Sequence, residues 1–150
     1  MTIVAPIDFS AVTDRVFETA AGLADSLRGR VILLHVVQPP QASREGSKSP
    51  VVSEEAAAAS EQNAVRQLSR YEKRLQLDKL NVTTRILHGA PAPQIPECAA
   101  KLGASFLVMG SHGHGVLAGR LLGDTTEGVL RKAPCPVLTI KHPSLKVHVP

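Results

Sequence analysis

Five short apolar runs recur along this chain, at Thr2–Ile7, Val31–Val37, Val82–Leu87, Ser105–Met109 and Pro136–Ile140, and they are too widely separated to be joined as hairpins. Between them the apolar residues recur at helical spacing. A strand followed by a helical crossover, repeated in this way, leaves few topologies open, because such crossovers are right-handed and their links are short. The expectation is an α/β chain, a single domain over 1–150, built as a doubly wound five-stranded parallel sheet with helices on both faces. Val31–Val37 is apolar on both faces and so must be central. Val82, Thr84 and Ile86 alternate with Thr83, Arg85 and Leu87, a half-polar pattern that belongs at a sheet edge.

The helices follow from the same periodicity. Ser10 is placed to cap a first helix whose Phe17, Ala20, Ala21, Ala24 and Leu27 share a stripe, with Gly29 ending it. From Gln38 to Val52 the chain is rich in Pro, Ser, Gly and charge, which predicts a mobile loop. Ser53-Glu54-Glu55 then reads as a helix start, with Val65, Leu68, Tyr71 and Leu75 as the buried stripe. A third helix is expected from about Pro93 to Leu102, with its prolines confined to the start and Gly103 as its stop. A fourth is expected from about Thr125 to Lys132, and a short tail from Pro143 to Pro150.

Composition narrows the class. A chain of 150 residues buries enough surface to fold without disulfides or metal. Cys98 and Cys135 lie in apolar stretches with no C-x-x-C partner, which predicts small buried thiols in a reducing compartment. No apolar run reaches a membrane span, and Met1 leads directly into strand-like sequence. A cytoplasmic protein without a membrane partner is expected. The net charge of +4 suits nucleic acid, but the basic residues are scattered and aromatics are only 3% of the chain, so stacking platforms are missing.

The fourth run passes into Gly110-Ser111-His112-Gly113-His114-Gly115, and Gly123 follows Leu121-Leu122 just ahead of Asp124-Thr125-Thr126-Glu127. Closely spaced glycines between a buried strand and a helix start bring backbone N–H groups against an anion, most commonly phosphate. Taken alone, the same glycines also fit a tight turn with no ligand. Topology adds a second element. Ligands of open α/β sheets bind beyond the carboxyl ends of the strands where winding reverses. A reversal between the first and fourth strands would bring Pro6-Ile7-Asp8 to Met109-Gly110, about a hundred positions away.

These residues carry a resemblance to the universal stress protein family over essentially the full length. It rests on Val4-Ala5-Pro6-Ile7-Asp8-Phe9-Ser10, Ile32-Leu33-Leu34-His35-Val36, Gly110-Ser111-His112-Gly113 and Ala133-Pro134-Cys135-Pro136-Val137-Leu138. Gly110, Gly113 and Gly123 also match the Gly-x2-Gly-x9-Gly spacing of the family's nucleotide-binding branch. The resemblance implies strand order 3-2-1-4-5, an adenine nucleotide alpha-hydrolase-like fold, and a homodimer through the last strand, about Pro136–Ile140. It implies an adenine nucleotide (AMP, ADP or ATP) with its base near Asp8 and the backbone of Val36, Pro6 and Ile7 belonging to the same nucleotide site. Ribose and phosphates would then lie over Met109, Gly110, Gly113, Gly123, Asp124 and Thr125. His114, Gly115 and Arg120 complete the candidate site on the same loop.

The match departs at one position. The branch places Ser or Thr after the last glycine, where this chain has Asp124. An added anion and a lost hydroxyl donor would weaken a directly contacted terminal phosphate by roughly tens to several thousand-fold, unless Mg²⁺ bridges the two. AMP, ADP or Mg-ATP is therefore expected over free ATP. The alternative reading is a capping box, with Asp124 as the cap and Glu127 reaching back. His112 and His114 are expected to be solvated, one of them touching a phosphate, and without a third ligand they do not make a metal site. Asp8 is expected to accept from ribose or to cap the turn into Ser10, and His35 to be a satisfied core group. The function expected is a stress-response sensor or interaction module with an unknown signalling partner. Two alternatives stand beside it: a nucleotide-free dimer acting through partners, and a slow ATP hydrolase using Asp8 or Asp124.

Overall fold

The computed structural model describes residues 1–39, 50–77, 79–114 and 122–142. Their elements alternate as β1 (Thr2–Pro6), α1 (Thr13–Ser26), β2 (Arg30–Val37), α2 (Pro50–Leu77), β3 (Asn81–His88), α3 (Pro91–Lys101), β4 (Phe106–Gly110), α4 (Asp124–Lys132) and β5 (Val137–Ile140). The five strands form one sheet in the order β3-β2-β1-β4-β5. Every neighbouring pair is parallel, and Ile3 of β1 stands opposite Val31 on one side and Phe106 on the other. The half-polar third strand is an edge, and β2 is enclosed between β3 and β1.

Strand side chains alternate between two apolar layers, as the period of two requires. Ile3, Ala5, Val31, Leu33 and Val108 join Val16, Phe17 and Ala20 of α1 and Leu68 of α2 on one face. Val4, Ile32, Leu34, Leu107 and Met109 join Ile95 and Ala99 of α3 and Val129 of α4 on the other. Each fully buried aliphatic side chain contributes about 1.5–3 kcal/mol relative to exposure. The near-continuous apolar runs of β1 and β2 reflect burial on both faces. Outside the layers, the Arg74 guanidinium lies 4.6 Å over the Phe17 ring. Arg74 and the Tyr71 hydroxyl both donate to Oδ1 of Asp14, at 3.3 and 3.1 Å, tying α2 to the start of α1. Burial is the main cause raising the Tyr71 hydroxyl above its usual pKa, and Asp14 adds to it.

Several boundaries differ from the sequence expectations. α2 is described from Pro50, so the last residues read as loop, 50–52, are helical. α3 begins at Pro91 rather than Pro93, which leaves Pro96 inside the helix instead of confined to its start. Gly103 does end α3, in a left-handed conformation (φ 58°) that a side chain would oppose. Ser10 does not cap α1: the cap position is Val12, and no side-chain cap bond is made. Cys98 is buried and Cys135 half-buried, both as free thiols whose pKa is raised by burial. Most of the expected loop and the 143–150 tail lie outside the described residues. Among the described residues no helix is long and apolar enough to cross a membrane.

Candidate functional site

Winding reverses between β1 and β4, and at their carboxyl ends the structure opens a cleft of about 360 Å³. Pro6, Ile7, Asp8, Val36, Met109, Gly110, Gly113, His114, Gly123, Asp124 and Thr125 all line it. Gly115 and Arg120 lie outside the described residues. These residues, named from the sequence, reach one wall from four separate segments of the chain.

The β1–α1 turn is held from several directions. Asp8 Oδ1 accepts the Ser10 N–H at 3.0 Å, so the carboxylate organises the turn that follows it. A carbonyl oxygen can only accept, so His35 donates through Nδ1 to the Ile7 carbonyl at 2.8 Å, and His114 through Nε2 to the Asp8 carbonyl at 2.7 Å. Phe9 takes φ 61°, unusual for a bulky residue, and its ring lies 4.6 Å from that of His35. Such backbone strain persists only where the surroundings fix it. His35 is half-buried with its ring in the cleft wall, rather than sealed in the core.

The opposite wall is the glycine loop. A Cβ at Gly113 would collide with Asp8 Oδ2, so the carboxylate sits in the space that glycine leaves. A Cβ at Gly110 would fall 2.6 Å from Val12 Cγ1, because the start of α1 packs onto the end of β4. Gly123 differs. Its φ is −75°, and among the described residues the nearest atoms to an added Cβ lie at 3.5 Å, an ordinary contact distance. The Gly123 N–H donates to the Ser111 carbonyl at 2.8 Å, which takes this amide out of any anion cradle. Helix geometry leaves the next N–H groups, in the first turn of α4, without intrahelical partners.

Two sequence expectations fail at this wall. The capping box is not made: Gly123 is the cap residue, Asp124 is the first helical residue, and no side-chain cap bond forms. Glu127 instead bonds Arg131 at 2.7 Å. His112 is not solvated but 2% exposed, packed beside Gly123, with Nδ1 3.3 Å from the Ser111 hydroxyl. His114 is exposed as expected, though its Nε2 is engaged by the Asp8 carbonyl. Sequence reasoning also missed Val12, Thr13, Pro91 and Ile95 in the wall. All four follow a strand's carboxyl end, Val12 and Thr13 after β1 and Pro91 and Ile95 after β3, which is the one signal that pointed to the crevice. No cluster of three or more metal-ligating side chains occurs among the described residues.

Fold and cleft together define a small doubly wound α/β protein whose crevice lies where its first and fourth strands part. The chain belongs to the universal stress protein family, whose model matches residues 1–141. Universal stress protein MJ0531 of Methanocaldococcus jannaschii is 32% identical over 148 residues, covering 94% of this chain and 82% of that protein. Universal stress protein MJ0577 of the same organism is 26% identical over 151 residues, with 93% of each chain covered. The MJ0577 structure superposes with a TM-score of 0.86 at 28% identity, covering 96% of this chain and 97% of its own. A universal stress protein solved in complex with cAMP superposes at 0.70, with 26% identity over 96% of this chain and 98% of its own.

Proposed function

We propose that the cleft binds an adenine nucleotide (AMP, ADP or ATP) and that the protein works as a stress-response sensor or interaction module in the cytoplasm. The observation that carries this reading is the Asp8 carboxylate seated over Gly113. An acid able to accept from ribose and a glycine loop suited to phosphate face one crevice at the switch point. The family relation, and the cAMP carried by a structural neighbour, support adenine as the base. Pro6, Ile7, Asp8 and the Val36 backbone are assigned to the nucleoside. Met109, Gly110, Gly113, Gly123, Asp124 and Thr125 are assigned to ribose and phosphate, with His114, Gly115 and Arg120 on the same loop. Gly123, which packing among the described residues does not require, would leave room for a ligand against its backbone. A divalent ion would arrive with the phosphates of the longer nucleotides.

The protein acts as a homodimer through β5. This strand is the last of the sheet, and Leu138 on it is 43% exposed. An open edge of this kind pairs readily with a second copy.

A thermal-melting series tests the nucleotide reading. At a hundredfold excess over Kd, a ligand of the native state adds about 2.7 kcal/mol, which is roughly 5–10 °C for a chain of this size. AMP, ADP or Mg-ATP is expected to raise the midpoint by this amount and GMP by much less. Equal response to GMP, or none to any adenine nucleotide, contradicts the assignment.

A further inference from the structure

Three buried side-chain atoms among the described residues have no hydrogen-bond partner: Ser10 Oγ, Thr13 Oγ1 and His112 Nε2. All three belong to segments that meet at the cleft. Thr13 and His112 line it, and Ser10 closes the Asp8 turn beside it. An unsatisfied buried polar group destabilises the protein that carries it, so a cluster of them at one crevice calls for an explanation.

Thr13 is the most telling of the three. It is 2% exposed and opens α1, a helix of 14 residues. The cap residue, Val12, has no side-chain oxygen, and the first helical bond is that of the Val16 N–H to the Val12 carbonyl at 3.1 Å. The N–H groups of Asp14 and Arg15 therefore have no partner within the helix. Asp14 does not use its carboxylate to cap them, because Tyr71 and Arg74 draw it away. The positive end of the α1 dipole thus meets the cleft through an unpartnered hydroxyl. Thr13 Oγ1 is out of reach of solvent, and rotation of χ1 to a neighbouring staggered well re-aims it. At the first turn no i−4 carbonyl of the helix holds the hydroxyl back. Val12 packs on Gly110, so this helix start adjoins the glycine loop, and His112 adjoins Gly123 on its other side.

We propose that the start of α1 is an oxyanion subsite, separate from the first turn of α4, in which Thr13 Oγ1 donates to a phosphate oxygen of the bound ligand. The His112 ring, with Nε2 unpartnered and Cδ2 beside Gly123, serves the same oxygens from the α4 side. The proposal rests on the adenine-nucleotide reading and adds where the phosphate is held. It also explains why the free protein keeps a buried hydroxyl with nothing to bond.

Calorimetry of AMP and adenosine with wild type and Thr13→Val tests it. Valine is nearly isosteric and removes only the unpaired hydroxyl, so the variant is expected to melt at or above the wild-type temperature. Its AMP Kd is expected to rise about tenfold or more while its adenosine Kd stays within about twofold, since only the phosphate loses a donor. Thr13→Ser is expected to restore AMP affinity. An unchanged ratio of AMP to adenosine affinity in Thr13→Val, with AMP still bound, overturns the subsite and leaves the nucleotide reading standing. Absence of binding by wild type to both compounds overturns both.

Discussion

Gly113→Ala is expected to cost about 1–3 kcal/mol of folding stability and at least a hundredfold in AMP affinity. The added methyl occupies the space of Asp8 Oδ2. Neither side yields easily. Asp8 is bound to the Ser10 N–H through Oδ1, its carbonyl is held by His114, and the Ile7 carbonyl before it is held by His35. Overpacking of this kind typically costs 1–3 kcal/mol, and displacement of a binding group by about 1 Å weakens its function by about a hundredfold. Urea unfolding and calorimetry read the two effects separately. A double-mutant cycle identifies the cause, because the stability cost of Gly113→Ala should largely vanish in an Asp8→Ala background. An equal cost in both backgrounds would place the clash elsewhere.

Leu33→Ala is expected to remove about 2–5 kcal/mol, the largest effect on folding among the substitutions considered. Leu33 is 0% exposed on β2, a strand paired on both sides, and packs into the layer beneath α1 and α2. Little room exists for collapse around a cavity there, because the sheet backbone is pinned from β1 and β3. The midpoint of thermal unfolding should fall by roughly 10 °C. A fall of under about 2 °C would mean that the two-sided burial of the central strands is not what holds the sheet together.

Much of this architecture was legible before any coordinates. Val31–Val37 could be placed inside the sheet because nothing polar interrupts it on either face except His35, and Val82–Leu87 at the edge because Thr83 and Arg85 do. The meeting of Asp8 with the glycine loop follows once winding reverses between the first and fourth strands, an order that the family resemblance implied. Termini of helices were read less well. Ser10 and Asp124 have the composition of caps, yet the chain caps α1 at Val12 and α4 at Gly123, because the Asp8 turn and the Gly123–Ser111 bond set the backbone there. His112 was the clearest miss. A histidine between glycines reads as a solvated loop, and its burial depends on β5 reaching the same level, where the Ser111 N–H bonds the Ile140 carbonyl and the His142 N–H bonds Ser111 Oγ. Thr13 gave no signal at all, since a hydroxyl at a helix start is ordinarily a satisfied one.

The central claim is that an adenine nucleotide occupies the crevice between β1 and β4. Titration of the ¹⁵N-labelled protein with AMP, followed by backbone amide shifts, tests it residue by residue. The predicted result is a saturable response at one nucleotide per chain, largest at Asp8, Gly110, Gly113 and Thr125. A response absent at those four amides, or confined to a distant surface such as the α2 groove at Ala58, Glu61 and Val65, would contradict it.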